Sequence, residues 1–550
     1  MRGTVTHDVD VDIAIVGSGF SGSLLAMIAR RLGRTVVLLE RGRHPRFAIG
    51  ESSTPLASLL LEEIARRYDL MRLLPLGKYG SWRRAYPDVG CGLKRGFSFF
   101  RHEVGTPFAA DPAHGNQLLV AASPHDEIGD VHWYRPDFDH FLVHEAVSLG
   151  AEYFDETEIT SFASNADGAH LTGVRRTSAD GSHAAATDAA HASGERLNVR
   201  ARLVVDATGP RGFLHRHCKL GERTLPGLPP TQTLFTHFTG VRRFADVAPA
   251  AFDGPPPYAP DDAAVHHVFD GGWIWVLRFD NGITSAGIAA TEPLAHELRL
   301  NEGAPAWARL MARFPSVGEQ FKDATPTREF TWWPRLSFFS DTIAGDGWVA
   351  LPSAAGIVDP LLSTGFPLTL LGVQRVAAAI ADAWDSPQLA ERLQAYAERT
   401  ADELETTSQL VGALYDAFGD WERFTSVSFL YFAAASFAES ARRLGNTALA
   451  GDAFLLGGHH AFAPALRRCL ELAAELRVDR SPSRRAALLN AINRAIEPVN
   501  VTGLANPSRR NWYPAEAADM LAGAAKLGAS SSDVVAMLER CGFSPRPATA

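Results

Sequence analysis

The sequence predicts an α/β fold with a parallel sheet, a β-rich region inserted into it and a helical C-terminal region. The segment VDIAIVGSGFSGSLLAMIARRLGRTVVLLER has the order strand, glycine-rich turn, amphipathic helix, strand, which is a complete βαβ unit. Between about 70 and 340, short aromatic and β-branched runs alternate with turn residues, as is typical of strands. From 367 onwards, runs rich in Ala, Leu, Glu and Arg are broken at Gly and Pro, which indicates helices.

The composition narrows the class of protein. A chain of 550 residues, 46% hydrophobic and 21% charged, is long enough for two or three globular domains. A net charge of -9 without a basic block argues against a nucleic-acid partner. The four cysteines lie far apart, which predicts reduced thiols in the cytoplasm and no cysteine metal site. No uncharged apolar stretch reaches 18 residues, so no membrane span is predicted.

The first βαβ unit carries a dinucleotide-binding pattern. Gly17-Ser-Gly-Phe-Ser-Gly22 follows a strand and opens a helix, and Glu40 ends the next strand. The glycines permit a tight turn and the close approach of a pyrophosphate, while the acidic side chain accepts hydrogen bonds from a ribose. We therefore predict a dinucleotide site that includes Gly17, Gly19, Phe20, Ser21, Gly22 and Glu40.

A second polar turn precedes a long apolar helix near residue 365. The stretch GIVDPLLSTGF, from Gly356 to Phe366, is followed by apolar residues at helical spacing. The first turn of a helix has unpaired N–H groups and partial positive charge, so it attracts an anion. The same residues are equally suited to a simple cap and turn.

Several motifs resemble those of FAD-dependent enzymes. Leu203-Val-Val-Asp-Ala-Thr-Gly209 resembles the second nucleotide-contacting strand of FAD-dependent monooxygenases of group A. Ile49-Gly-Glu-Ser-Ser-Thr-Pro55, Lys78-Tyr-Gly80 and Asp359-Pro-Leu-Leu-Ser-Thr-Gly365 resemble, in order and spacing, the GES/GEA-x-x-P, K-x-G and D-P-x-x-S-T/S-G motifs of flavin-dependent halogenases. The resemblance extends from about residue 10 to 380 and is closer to phenol- and pyrrole-type members than to tryptophan-type ones.

The resemblance implies a Rossmann-like FAD-binding fold and a set of functional residues. Reduced FAD and O2 would convert chloride or bromide to hypohalous acid, with the halide at the backbone N–H groups of Thr364 and Gly365. Lys78 would be the catalytic lysine that delivers the halogen. Lys94, in GLKRGFSFF, is the alternative lysine, and its position favours the edge or rim of a sheet. The further FAD contacts implied are Glu51, Asp206, Ala207, Gly209, Asp359 and Phe366.

This resemblance also predicts a division of the chain and a partner. Residues 1–380 would form the FAD-binding module, with the β-rich substrate region inserted over about 70–130 and 225–340, and residues 381–550 the helical C-terminal region. The segment 178–196 is predicted to be a loop. Because there is one dinucleotide fingerprint, reduced FAD is expected from a separate flavin reductase.

Three positions depart from the halogenase pattern. Trp273-Ile-Trp275 keeps both tryptophans of W-x-W-x-I-P without the Ile-Pro, and predicts either a substrate-pocket wall or a core-facing strand in a hairpin with a DNG turn. Pro352-Ser353 stands where the family carries Gly-Asp. Leu362 occupies the position of a glutamate that engages substrate in tryptophan halogenases, which favours a phenolic or other electron-rich aromatic substrate, free or carrier-bound.

The predicted function is halogenation of such an aromatic by an FAD-dependent oxidoreductase. The first alternative is an FAD-dependent monooxygenase or oxidoreductase of the same fold that acts without halide. The second alternative is a non-catalytic protein that binds an aromatic or lipidic ligand. His215-Arg-His217-Cys218 and His459-His460 lack further ligands at metal spacing, so no metal site is predicted.

Overall fold

The computed structural model describes residues 5–109, 111–176, 194–249, 252 and 254–543. Most of the loop predicted at 178–196 lies outside these residues. The strands are, in chain order, β1 Thr6–Val16, β2 Val36–Leu39, β3 Cys91–Lys94, β4 Gly96–Arg101, β5 Gln117–Ala121, β6 Asp130–Trp133, β7 Glu152–Phe154, β8 Thr157–Asn165, β9 Gly168–Arg176, β10 Gly194–Asp206, β11 Thr231–Thr239, β12 Ala264–Phe269, β13 Gly272–Arg278, β14 Thr284–Thr291, β15 Thr325–Pro326, β16 Thr331–Trp333, β17 Phe338–Phe339, β18 Ala344–Gly345, β19 Trp348–Ala350, β20 Gly356–Ile357 and β21 Trp512–Tyr513.

The α-helices are α1 Phe20–Arg31, α2 Pro55–Arg67, α3 Tyr79–Ala85, α4 Arg135–Ser148, α5 Phe213–His217, α6 Phe244–Val247, α7 Glu292–Leu298, α8 Ala304–Arg313, α9 Pro315–Gln320, α10 Pro352–Ala355, α11 Gly365–Ala383, α12 Gln388–Tyr415, α13 Trp421–Arg443, α14 Thr447–Ala450, α15 Phe462–Val478, α16 Pro482–Ile496, α17 Ala517–Ala522 and α18 Ser531–Cys541. Short 3-10 helices include Met71–Gly77, which leads into Lys78.

The first sheet has the strand order β18-β19-β10-β1-β2-β7 and holds the nucleotide-binding fold. β1 lies between β10 and β2 and is parallel to both, which confirms the predicted βαβ unit. The apolar residues of β1 and β2 are buried because helices cover this parallel sheet. β9 pairs in antiparallel orientation with the first half of β10 and extends the sheet through β8.

The second sheet has the order β15-β11-β14-β13-β12-β4-β5-β21, and β16 also pairs with β11. Most of its strands come from the two stretches predicted as the β-rich region, and its last strand comes from the C-terminal part. β13 and β14 pair in antiparallel orientation around Asp280-Asn-Gly282, which confirms the predicted hairpin. A separate two-stranded ribbon pairs β3 with β6.

The C-terminal region is helical, as predicted, and shares one apolar core with the first sheet. α13 contains the apolar segment near 426–440 as a buried helix. α11 is long and apolar enough to cross a membrane, but 72% of its most apolar window is buried inside the fold, as in a core helix. The predicted division of the chain into residues 1–380 and 381–550 stays a prediction.

Candidate active site

The glycine-rich turn after β1 packs directly against the end of β10. Gly17 has a φ of 102°, and a Cβ there would lie 2.6 Å from the carbonyl carbon of Ala207. A Cβ on Gly22 would lie 2.0 Å from the carbonyl oxygen of Gly17. These two glycines therefore serve close packing of turn, helix and strand, whereas Gly19, Phe20 and Ser21 at the start of α1 face a large cleft.

Glu40, at the end of β2, is an ionised acceptor. It accepts hydrogen bonds from the backbone N–H and the hydroxyl of Ser18, at 3.1 and 2.9 Å, and a 2.8 Å charged hydrogen bond from Arg46. Burial raises its pKa, but the Arg46 charge and the N–H groups of Gly42 and Ser18 outweigh burial and lower the pKa to about 2. Arg46 itself lines the cleft and was missed by the sequence reasoning.

Asp206 shapes the turn after β10. Its carboxylate accepts hydrogen bonds from the N–H and the hydroxyl of Thr208, at 2.8 and 2.6 Å, and from the N–H of Leu214 at 2.7 Å. Burial raises the pKa of this side chain. Asp206 is not part of the cleft wall; Ala207, Thr208 and Gly209, which it positions, are.

The turn at 359–365 brings the start of α11 to the same cleft. Asp359 accepts a hydrogen bond from the N–H of Leu361, at 2.9 Å, which fixes the turn from within. Ser363 has a φ of 54°, and the helix begins at Gly365 with no side chain capping it. A Cβ on Gly365 would meet nothing within 4 Å. The helix start is therefore open towards the cleft.

The large cleft has a volume of about 440 Å³ and is the place where the predicted FAD segments meet. Its wall includes the start of α1, the turn after β10 and the 359–365 turn, although these lie far apart in sequence. The predicted residues in this wall are Gly19, Phe20, Ser21, Glu51, Ala207, Gly209, Trp273, Trp275, Asp359, Thr364, Gly365 and Phe366. Pro352 and Ser353, the departure from Gly-Asp, also line it.

Two walls of this cleft are anchored by side chains from the second sheet. Glu51 accepts a 2.8 Å hydrogen bond from His237, and both residues are buried. Trp273 and Trp275 lie on the same face of β13, and the indole N–H of Trp273 donates to the Tyr415 hydroxyl at 3.1 Å. The tryptophan strand is therefore both part of the core and part of the cleft wall.

Phe366 lies in an aromatic cluster at the start of α11. Its ring stacks on Trp133, with centroids 4.2 Å apart, and meets Phe20 edge to face at 5.1 Å. Leu362, in contrast, is fully buried in the apolar core and does not line the cleft. The turn that places Thr364 and Gly365 in the cleft wall thus directs the Leu362 side chain away from the place predicted for it.

The two candidate lysines have very different surroundings. Lys78 is half-buried, donates to the carbonyl of Cys541 at 3.4 Å, and lines a separate small cavity of about 70 Å³. Lys94 was expected at a rim, and this expectation is wrong: it is fully buried. Its Nζ donates to the Ser53 carbonyl, lies 3.5 Å from Oγ of Ser363, and is 3.9 Å from the centre of the Phe97 ring.

The burial of Lys94 has an electrostatic consequence. Removal from water lowers the pKa of its amine, and the nearby Asp130 carboxylate opposes this shift. One sequence signal pointed to this residue, because Lys94-Arg-Gly96 has the same K-x-G spacing as Lys78-Tyr-Gly80. Lys94 is thus the lysine in contact with the wall of the large cleft, through Ser363.

Known proteins are similar to this chain in sequence and in fold. The profile of the tryptophan halogenase family matches residues 135–422, and that of an NAD(P)-binding Rossmann-like domain matches residues 15–55. Monodechloroaminopyrrolnitrin halogenase PrnC of Pseudomonas fluorescens is 30% identical over 429 residues, which are 76% of this chain and 70% of that protein. Tetracycline 7-halogenase of Kitasatospora aureofaciens is 29% identical over 78% of this chain and 74% of its own.

A solved structure extends the likeness to the whole fold. The crystal structure of halogenase PltM in complex with phloroglucinol and FAD superposes with a TM-score of 0.77 and 25% identity, and covers 91% of this chain and 99% of that one. A cleft lined by the three predicted FAD segments is consistent with the likeness to these halogenases. The chain therefore belongs to the tryptophan halogenase family and is an FAD-dependent halogenase, an oxidoreductase.

Proposed function

We propose that this enzyme halogenates a phenolic or similarly electron-rich aromatic compound with chloride or bromide, using reduced FAD and O2. One contact carries the proposal: Oγ of Ser363, whose residue lines the large cleft, lies 3.5 Å from Nζ of Lys94. The turn that faces the cleft is thereby connected to a buried amine. Hypohalous acid formed at the turn would therefore lie close to the amine of Lys94, which contacts the residue next to Thr364.

FAD fits the large cleft on the properties of its wall. A Cβ on Gly209 would meet nothing within 4 Å, so the backbone there is open to a ligand. Arg46 has a buried Nε with no partner among the described residues, and supplies positive charge for a diphosphate. Gly19, Ser21 and Arg46 would hold the cofactor. When bound and reduced, FAD would activate O2, the oxidant that converts halide to hypohalous acid.

The halide would be held at the start of α11. Thr364 is the N-cap residue and Gly365 the first residue of a 19-residue helix, so their N–H groups lie where partial positive charge favours an anion. No side chain caps this helix start, and the wall of the cleft includes both residues. A weakly hydrated anion such as chloride or bromide suits a site built of backbone N–H groups.

We assign the role of the catalytic lysine to Lys94, and Lys78 stays the alternative that the sequence predicted. A buried amine with a lowered pKa either donates a hydrogen bond to hypohalous acid or carries the halogen itself. In either role, the lysine must contact the turn at 359–365, where the halide is proposed to bind. Lys94 has this contact, whereas Lys78 lines a different cavity.

The substrate class follows from the missing glutamate. Leu362 has no group that takes up a proton, so a ring already activated by oxygen substituents needs the least help from the protein. Halogenase PltM forms a complex with phloroglucinol, a phenol, and two other relatives are named for pyrrole-2-carbonyl groups on a peptidyl-carrier protein. We propose a phenolic substrate, and the assay includes free and carrier-bound forms.

The source of reduced FAD is proposed to be a separate flavin reductase, since the sequence has one dinucleotide fingerprint. The four cysteines are free in the described structure, which agrees with the reduced thiols of the proposed cytoplasmic location.

A second candidate function is hydroxylation or oxidation without halide. Pro352 and Ser353 line the cleft where halogenases carry Gly-Asp, and this departure favours altered handling of the flavin. The two functions differ in their dependence on halide and in the group added to the product.

The test is a product assay. Purified protein receives chemically reduced FAD, O2, bromide or chloride, and a panel of phenols that includes phloroglucinol, free or attached to a carrier protein. Mass spectrometry is expected to show replacement of a ring hydrogen by halogen, only when halide is present. An added oxygen that appears without halide would support the second candidate, and absence of any product would contradict both.

A further inference from the structure

Lys94 faces a carboxylate on the neighbouring strand. Lys94 of β3 and Asp130 of β6 are directly opposite each other in the antiparallel ribbon. Their Cβ atoms therefore lie on the same side of the ribbon, about 4.5–5.5 Å apart. Oδ1 of Asp130 accepts a 2.6 Å hydrogen bond from Ser58, while Oδ2 is buried and has no hydrogen-bond partner among the described residues.

Asp130 belongs to the wall of the small cavity. Asp130 and Ser58 line one side of it, and α18, with Met537 and Leu538, covers another. Lys94 thus stands between two cavities. It touches Ser363 of the large cleft on one side, and its cross-strand partner Asp130 opens onto the small cavity on the other.

Several titratable side chains lie near Lys94 and Asp130. Burial raises the pKa of Asp130, and Lys94 partly offsets this effect. Burial, aided by the Lys94 charge, lowers the pKa values of His132 and His266 and keeps both imidazoles neutral. Glu439 faces Asp130 from α13 and is engaged in a 2.7 Å ion pair with Arg443, and the phenol of Tyr431 is held protonated by burial.

We propose that Asp130 is the catalytic base of the halogenation, accepting the proton that leaves a substrate whose reacting ring carbon lies at the small cavity. The inference rests on the proposed function. It explains how a chain with Leu362 in place of a glutamate removes the ring proton: the carboxylate comes from β6 instead of the 359–365 turn. Asp130 is the carboxylate beside Lys94 with an oxygen left free.

The step balances as an electrophilic substitution. The ring electrons form the carbon–halogen bond while the oxygen–halogen bond of hypohalous acid breaks, and the departing hydroxide takes a proton from the Lys94 ammonium to become water. The ring carbon then loses its proton to the Asp130 carboxylate, and the carbon–hydrogen electron pair restores aromaticity. Asp130 passes this proton to the Lys94 amine, which returns both groups to their starting charges.

The first test separates the formation of hypohalous acid from its use. Asp130→Asn keeps the volume of the side chain, and Asp126→Asn, an exposed carboxylate paired with Arg95, is the matched control. The assay uses reduced FAD, O2, bromide, and either methionine as a trap for hypohalous acid or the phenol of the panel that is halogenated fastest. In Asp130→Asn, we expect phenol halogenation to fall by about 10²–10⁴-fold and trapping to continue at the wild-type rate.

The isotope effect identifies the step that is lost. With a ring-deuterated form of the same phenol, wild-type enzyme is expected to show no primary isotope effect, because attack on the halogen precedes proton loss. Asp130→Asn is expected to show one, since proton removal becomes slow. Undiminished halogenation in Asp130→Asn, or diminished halogenation with no isotope effect, would overturn the assignment. No trapped hypohalous acid in wild-type protein would instead show that the proposed function itself has failed.

A measurement without cofactor tests the pairing directly. The chain has five lysines, Lys78, Lys94, Lys219, Lys322 and Lys526, so ε-¹³C-lysine labelling gives few NMR signals, and Lys94→Met assigns the buried one. The titration midpoint of Lys94 is expected to fall in Asp130→Asn, because the opposing negative charge is removed, and to stay unchanged in Asp126→Asn. An unchanged midpoint in Asp130→Asn would overturn the pairing.

Discussion

The hydroxyl of Tyr415 donates a 2.8 Å hydrogen bond to Oδ2 of Asp359. Through this bond, the last residue of α12 in the C-terminal region holds the turn that opens α11. The indole N–H of Trp273 donates to the same hydroxyl, at 3.1 Å, so β13 of the second sheet joins the arrangement. Three distant parts of the chain therefore fix the position of the helix start to which we assign halide binding.

Removing this hydroxyl is expected to destabilise the protein. In Tyr415→Phe, both Asp359 and Trp273 lose a buried partner, which costs about 1–3 kcal/mol. The midpoint of urea denaturation should fall, and bromide affinity should fall with it. Tyr68→Phe is the control, because the Tyr68 hydroxyl has no hydrogen-bond partner among the described residues. Equal midpoints for the two variants would contradict the anchoring role of Tyr415.

Asp359 is expected to make stability depend on pH. Burial raises its pKa from 3.8 to about 7, although Tyr415 and Leu361 donate hydrogen bonds to it. Between these values the unfolded chain binds fewer protons at this site than the folded one, so the contribution of Asp359 to the free energy of unfolding falls as pH rises from 4 to 7. Asp359→Asn should remove this part of the slope. Parallel stability–pH curves for wild type and variant would contradict the raised pKa.

The glycine turn gives a steric prediction for FAD binding. A Cβ in Gly22→Ala would lie 2.0 Å from the carbonyl oxygen of Gly17, so the turn must shift. Overpacking of this kind costs about 1–3 kcal/mol, and the dissociation constant of FAD should rise by about tenfold or more. Gly419→Ala, where a Cβ meets nothing within 4 Å, is the control. A fluorescence titration that gives equal affinities would show that the close packing at Gly22 does not matter for the cofactor.

The halide site is expected to be visible in crystals. Bromide soaked into crystals of the FAD complex should give an anomalous peak beside the N–H groups of Thr364 and Gly365, because the helix start is open there. The Gly365→Pro variant lacks one of these N–H groups, so the peak should weaken. Peaks confined to the protein surface would place the halide elsewhere.

The sequence predicted the backbone of the site better than its side chains. The βαβ unit and the turns at 206–209 and 359–365 were predictable because each imposes a local requirement, such as a positive φ at Gly17 or an open helix start at Gly365. Their meeting in one cleft followed from the resemblance, since the segments are far apart in the chain. The predicted hairpin at β13 was equally local, because alternation and the DNG turn determine it.

The two lysines show where prediction from sequence ended. Lys78 and Lys94 both stand two residues before a glycine, so spacing does not distinguish them. The basic pair at Lys94 favours exposure, but Phe97 packs on the lysine and, more than 330 residues later, on Phe432 of α13. Burial of Lys94 is thus a property of tertiary packing. Leu362 was placed at the substrate for its position in a motif, whereas its side chain joins the core.

The most direct test is the rate of phenol halogenation in Lys94→Met beside that in Lys78→Met. Both changes remove the amine and keep a side chain of similar length, and methionine suits the buried position of Lys94. Lys94→Met is expected to abolish halogenated product while oxidation of reduced FAD continues. Lys78→Met changes the wall of the small cavity but no contact with the halide turn, so it is expected to retain product. Retained halogenation in Lys94→Met together with its loss in Lys78→Met would contradict the assignment of Lys94 and restore the lysine that the sequence predicted.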